Sequence, residues 1–224
     1  MTYLAATTLR RALADQVAAA SPPPDPAWIA ALAKVPRELF VNHSVYRPAP
    51  SGWEPIHRAQ FSEEEWLHMV YTDQTWVTQA DGVEAADAPY PVTGAPTSSG
   101  TQPSLVVRTL NATGLRPGDK VLEIGTGTGY STALLCHHLG QDHVVSAEYD
   151  AIMATCAVRS IPRSWLLQIT DNGSITCTLS GWVLASAMIR LTLDENGDAH
   201  GRFLAGGDTV SYMLARPHQR PPPP

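Results

Sequence analysis

The chain has 224 residues, 44% of them apolar and 16% charged, with a formal net charge of −6. That length and apolar content suffice for one full core, or for one domain with a small cap. An acidic balance without a basic block argues against a nucleic-acid partner, and no apolar run approaches membrane-spanning length.

Taken in order, Met1 to Ala6 reads as the start of a helix containing Arg10 and Arg11, not as a secretory leader. Residues 4–20 are alanine-rich and helical in pattern, and Ser21-Pro22-Pro23-Pro24 breaks them. Asp25-Pro26 then starts a second helix, with Asp25 as N-cap and Pro26 in the first helical position. Pro36 ends it, and Arg37 to Val41 continues as a short turn or strand. Residues 42–62 read as irregular. Glu63 to Val70 is a short helix with acids at its positive end. Tyr71 to Gln79 alternates like a strand, and residues 80–100 read as a loop. Ser104 to Asn111 is a helix that Gly114 caps. Later come strands at Val144–Glu148 and Ala151–Val158, and a helix at Pro162–Ile169. A turn at Asn172-Gly173 leads into a strand at Ser174–Leu179. A hairpin follows, with Met188–Leu193 and Arg202–Leu204 as its arms. A last strand, Thr209–Ala215, precedes a proline-rich tail. The order implies an α/β sheet that is parallel first and antiparallel at its end. Cys136, Cys156 and Cys177 are odd in number, lie in apolar surroundings and show no metal-site spacing. They read as reduced thiols of a cytoplasmic protein without structural zinc.

The informative stretch is Val121 to Tyr130, an apolar strand that runs into Gly125-Thr126-Gly127-Thr128-Gly129 and then a helix over Ser131–Leu139. Glycines there let a ligand approach the main chain, and the helix offers its free N–H groups at the turn. The spacing is Glu-x-Gly-x-Gly-x-Gly, which is not the dinucleotide fingerprint, and no lysine follows, so it is not a phosphate-cradling P-loop. Glu148 ends the next strand, where a carboxylate can accept a ribose's hydroxyls or simply be a strand-end acid. The pattern favours S-adenosylmethionine as the ligand.

The chain resembles the protein-L-isoaspartate O-methyltransferase family. The resemblance is carried by Asp25-Pro26 through Val35-Pro36-Arg37-Glu38-Leu39-Phe40-Val41, by Tyr71-Thr72-Asp73, by Thr101-Gln102-Pro103, and by Val121 through Gly129. Ala154 to Pro162 and Gly201 to Leu204 are similar to a branch found beside ATP-grasp or lanthipeptide maturation enzymes. The resemblance implies a Rossmann-like class I methyltransferase sheet over residues 96–216, an N-terminal helical and irregular cap over 1–95, an antiparallel C-terminal hairpin, and a tail over 217–224. It implies S-adenosylmethionine as cofactor, held by Glu123, Gly125, Thr126, Gly127, Thr128, Gly129, Tyr130 and Glu148. It implies methylation of an aspartate side chain in a ribosomally made precursor peptide, opening a route to an aspartimide. Repair of isoaspartyl residues is the alternative, and a non-catalytic peptide-binding protein is a second. The partner is a peptide or protein, with no nucleic acid and no membrane.

In the family a serine stands at the start of the helix that opens near residue 101. Here that position is Thr101, with Ser98 and Ser99 just upstream, so Thr101 and Ser99 are the catalytic candidates; Thr101 also reads as a helix N-cap. Thr155 and Cys156 are substrate-lining candidates, with plain core packing the other reading. His137 and His138 read as solvated or satisfied side chains, and Trp53, Trp66, Trp76 and Trp182 as aromatic core or a peptide surface. Compared with the family, about 40 residues are absent after Asp150, because no crossover separates Glu148 from Ile152. Such a loss predicts a damaged sheet and weaker cofactor binding.

Overall fold

A computed structural model describes residues 2–41, 43–140, 149–181, 186–194 and 198–204. Helix α1 (Thr2–Ala18) and helix α2 (Pro26–Lys34) form the start of the chain. The Asp25 side chain accepts the Ala27 N–H at 2.8 Å, as the sequence predicts for an N-cap. A 3₁₀ turn, Arg37–Leu39, follows.

Residues 42–62 depart from the irregular reading. Strands β1 (Ser44–Ala49) and β2 (Gly52–His57) form an antiparallel hairpin. Pro48 and Pro55 hide it in the sequence; Pro55 is tolerated because β2 is an edge strand, and Pro48 because β1 pairs β3 only at Tyr46. Helix α3 (Glu63–Val70) carries a capping box: Ser62 accepts the Glu65 N–H while Glu65 accepts the Ser62 N–H. Strand character is confined to β3 (Trp76–Ala80), since Tyr71 to Thr75 form the turn before it. The stretch expected to be a loop holds β4 (Val83–Glu84) and β5 (Pro96–Gly100). Both pair with β3, so the N-terminal part contains a small sheet in the order β2-β1-β3-β4, with β5 also on β3.

The second sheet follows helix α4 (Pro103–Thr113), which Gly114 ends in the left-handed conformation, at φ 67°. It is built from β6 (Val121–Ile124), β7 (Tyr149–Val158), β8 (Ile169–Ser180), β9 (Ser186–Leu193) and β10 (Ala199–Phe203), in the order β10-β9-β8-β7-β6. Strands β6, β7 and β8 are parallel, whereas β9 and β10 are antiparallel. Helix α5 (Tyr130–Leu139) lies in the connection between β6 and β7, and α6 (Arg163–Gln168) in that between β7 and β8. The sheet is not interrupted: β7 lies beside β6 with Val121 opposite Ala151 and Ile124 opposite Ala154. The expected strand at 144–148, the expected strand at 209–215, Trp182 and the tail lie outside the described residues.

Side-chain alternation along β7 divides the core. Ala151 and Met153 join a cluster with α1, α2, α3, α4 and α5, including Leu32, Trp66, Leu110 and Leu134. Ile152, Ala154, Cys156 and Val158 join the opposite face with Trp165, Ile175, Cys177 and Ile189. The helical cap thus shares its core with the second sheet.

One buried cation ties the cap to the start of α4. Arg37 is 0% exposed. Its Nη1 donates to the carbonyls of Val70 (2.7 Å) and Thr72 (2.9 Å). Its Nη2 donates to those of Gln74 (2.8 Å), Gly100 (3.0 Å) and Thr101 (3.3 Å). Burial lowers its pKa to about 10, which leaves it charged at neutral pH. Replacing it removes every one of these donors and leaves buried carbonyls unmatched. Arg37→Met is expected to lose about 3 kcal/mol or more in urea unfolding. Arg37→Lys is expected to recover only part of the loss, because an ammonium lacks the planar fork; equal stability of Arg37→Met and the parent would refute the role.

Candidate functional site

The glycine loop sits at the C-terminal end of β6, where β6 and β7 diverge into their helices. Gly125 and Gly127 have φ values of 83° and 55°, a region that side chains with a Cβ rarely adopt. Space matters as well as angle. A Cβ on Gly125 would lie 3.3 Å from Thr155 Oγ1 and from Cys156 Sγ, and one on Gly127 would lie 3.6 Å from the Ser99 carbonyl and 3.7 Å from Ser98 Oγ. Residues Gly125 to Gly127 are exposed, so their backbone is open to a ligand. Gly129 forms the N-cap of α5 and rests on the Phe40 ring.

The candidate residues gather around this loop from both sheets. Thr155 Oγ1 donates to the carbonyls of Ile124 (3.1 Å) and Gly125 (2.5 Å), so it holds the start of the loop. The Cys156 thiol lies 4.0 Å from the Ile124 carbonyl, and burial raises its pKa to about 11, which keeps it neutral. On the other side, Ser99 is buried and its Oγ has no hydrogen-bond partner. Thr78 Oγ1 donates to Ser98 Oγ at 3.2 Å. Thr126 is exposed and Thr128 half-buried.

Thr101 is half-buried, and its carbonyl is fixed by Arg37. It is not the N-cap of α4. Gln102 occupies that position, without a cap bond from its own side chain. Asp73 supplies the cap from a distance: its carboxylate accepts the Ser104 N–H at 2.8 Å and the Gln102 Nε2 at 3.2 Å. Thr75 Oγ1 accepts the Gln102 N–H at 3.0 Å. Thr101 is therefore free of the capping task.

Two candidates face inward. Tyr130 is 3% exposed, with its ring against Phe40 (5.6 Å between centroids) and under the Arg37 guanidinium (5.8 Å). What it presents to the loop is its backbone at the first turn of α5. The Glu123 carboxylate accepts hydrogen bonds from Ser131 and Thr132 on α5. Desolvation raises its pKa, against the opposite pull of those two bonds. Glu148 lies outside the described residues. Arg37 and Asp73 are the positioning residues the sequence reading missed. Both stand inside the resembling segments, but a partner 60 or 30 positions away leaves no local signal.

Two solved structures share this architecture. One, a protein-L-isoaspartate O-methyltransferase, superposes with a TM-score of 0.64 at 19% identity, covering 92% of this chain and 65% of that one. The other is a Plasmodium falciparum protein described as a protein-L-isoaspartate O-methyltransferase, in complex with S-adenosyl-L-homocysteine; its TM-score is 0.62 at 13% identity, covering 91% and 98%. The fold is thus that of a Rossmann-like methyltransferase. The model of the protein-L-isoaspartate(D-aspartate) O-methyltransferase family matches residues 51–149. The protein-L-isoaspartate O-methyltransferase of Ignicoccus hospitalis is 34% identical over 181 residues, 64% of this chain and 68% of that protein. The chain belongs to this family. It spans 62% of the Erwinia tasmaniensis relative, at 30% identity and 42% of this chain, and 31% of the Thermotoga maritima one, at 34% identity and 48% of this chain. No described helix is long and apolar enough to cross a membrane.

The raised pKa of Glu123 has a definite sign. Its folded value lies above the unfolded one, so its contribution to stability is complete below the unfolded pKa and is lost as pH rises through the folded value. Urea unfolding of the parent is expected to show this loss as pH rises above the usual carboxylate range, and Glu123→Gln to flatten it. An unchanged pH profile in the variant would remove Glu123 as the cause.

Proposed function

We propose that the chain is an S-adenosylmethionine-dependent carboxyl O-methyltransferase that acts on isoaspartyl residues of proteins. The observation that carries the proposal is the placement of an exposed glycine loop beside Ser99, whose buried hydroxyl is unpartnered, in a chain of this family. The exposed backbone at Gly125 and Gly127, held at positive φ where side chains are strained, suits a nucleoside brought against it. The free N–H groups of Tyr130 and its neighbours at the start of α5 add donors there. In this reading Thr126 and Thr128 line the loop, Glu123 supports it from behind, and Glu148 accepts the ribose hydroxyls.

When bound, S-adenosylmethionine supplies a methyl group on a sulfonium, so a carboxylate oxygen gains a C–O bond as the C–S bond breaks and S-adenosylhomocysteine leaves. A carboxylate is already ionised, so no general base is needed. The work of the protein is alignment and exclusion of water. Thr101 and Ser99 orient the substrate carboxylate, Arg37 fixes the Thr101 backbone, and Thr155 with Cys156 forms the opposite wall.

The segment absent after Asp150 relative to the family is part of the same proposal. In its support, the Erwinia match runs over 132 residues yet occupies 42% of this chain, and 42% of 224 residues is only about 94. Methylation of an aspartate in a ribosomally made precursor peptide is a second reading. It rests on the likeness of Ala154–Pro162 and Gly201–Leu204 to the peptide-maturation branch.

Calorimetry with S-adenosylmethionine is expected to show saturable binding. Mass spectrometry is expected to show one added methyl on isoaspartyl peptides, with turnover reduced about tenfold or more in Ser99→Ala and Thr101→Val. Methylation of a precursor aspartate alone would move the substrate to the second reading. Absence of cofactor binding would leave a non-catalytic peptide-binding protein.

A further inference from the structure

At the opposite end of the second sheet from the glycine loop lies a cleft of about 290 Å³. Its lining includes Gly114, Arg116, Asp119, Asp150, Asp171 and Arg190. Two of the carboxylates are already engaged by the main chain: Asp119 accepts the Arg116 N–H at 2.7 Å, and Asp150 accepts the Lys120 N–H at 2.8 Å. Arg190 is different. Among the described residues, no hydrogen bond or ion pair reaches its guanidinium, and its Nε is buried without a partner. The group lies over Gly114, where a Cβ would approach Nη2 to 2.8 Å. Strand register sets Arg202 directly opposite Arg190, so two like charges face each other across β9 and β10. An unpaired, partly desolvated guanidinium beside a second cation is costly unless an anion meets it.

We propose that this cleft binds a small oxyanion, a phosphate or a carboxylate, through the guanidinium of Arg190, with Arg202 adding charge and the absent side chain of Gly114 leaving room. Asp171 is exposed at the rim and opposes the anion. The site is separate from the methyl-transfer site and does not depend on it.

The test uses the full chain at constant ionic strength, titrated with inorganic phosphate in one arm and malonate in the other, against chloride. Saturable binding of at least one probe is expected, and the arm that saturates assigns the ligand's class. Arg190→Gln is expected to weaken it about tenfold or more. Asp171→Asn is expected to strengthen it, a gain that general loss of structure would not produce. Arg202→Gln, at an exposed position, is expected to weaken it about threefold, and it carries the test if Arg190→Gln does not fold. No saturation by either probe overturns the proposal. So does unchanged affinity in folded Arg190→Gln, or weaker binding in Asp171→Asn.

Discussion

The molecule depends on the carbonyl cage around Arg37. Five backbone carbonyls from two separate stretches, residues 70–74 and 100–101, converge on one guanidinium. A carbonyl cluster of this kind cannot be buried without a donor, and a planar group with a fixed fork suits it better than an ammonium. The consequence is positional. The Thr72–Gln74 turn is held beside the start of α4, and there Asp73 caps the helix from outside. The same cation rests over Tyr130 on α5. A single charge therefore relates the small sheet, the candidate substrate hydroxyls and the helix behind the glycine loop.

The loop itself is gripped from two sides. Thr155 and Cys156 of β7 meet it at Gly125, and Ser98 and Ser99 of β5 meet it at Gly127. At Gly125 a side chain would meet both a strained backbone and tight neighbours, whereas at Gly127 the positive φ alone selects glycine. The small N-terminal sheet thus forms one wall of the site, and it is more than a cover. Behind it, α1 is tied to the same region by a polar knot: Arg10 donates to the Tyr71 hydroxyl at 3.1 Å and to Glu38 at 3.3 Å, and Tyr71 donates to Glu38. Burial and that carboxylate raise the Tyr71 pKa to about 12.

What could be read from the residues depends on how local each signal is. The glycine loop was legible because left-handed backbone selects glycine whatever surrounds it. Helix α2 was legible because Asp25-Pro26 states both its cap and its first turn. Strand β5 was not, because Pro-Thr-Ser-Ser-Gly has no apolar alternation and its extension comes from pairing with β3. The β1–β2 hairpin was hidden by Pro48 near the end of β1 and Pro55 on the edge strand β2. Thr101 looked like a cap because only its own side chain was in view; the actual capping carboxylate comes from Asp73, across the fold.

Strand β7 holds its neighbours at both ends. At its start, Asp150 exchanges hydrogen bonds with Lys120: the Asp150 N–H donates to the Lys120 carbonyl and the Lys120 N–H to the Asp150 carboxylate, each at 2.8 Å. Thr170 donates to the other carboxylate oxygen at 3.2 Å. The beginnings of β6, β7 and β8 are thereby laced together by side chains. At its other end the same strand holds the glycine loop. Register between β6 and β7 is thus set from both ends, with Val121 on Ala151 and Ile124 on Ala154. A one-residue slip would move Met153 and Ile152 to the wrong cores and separate Thr155 from Gly125 at once. The geometry of the loop is therefore a property of the β6–β7 pairing.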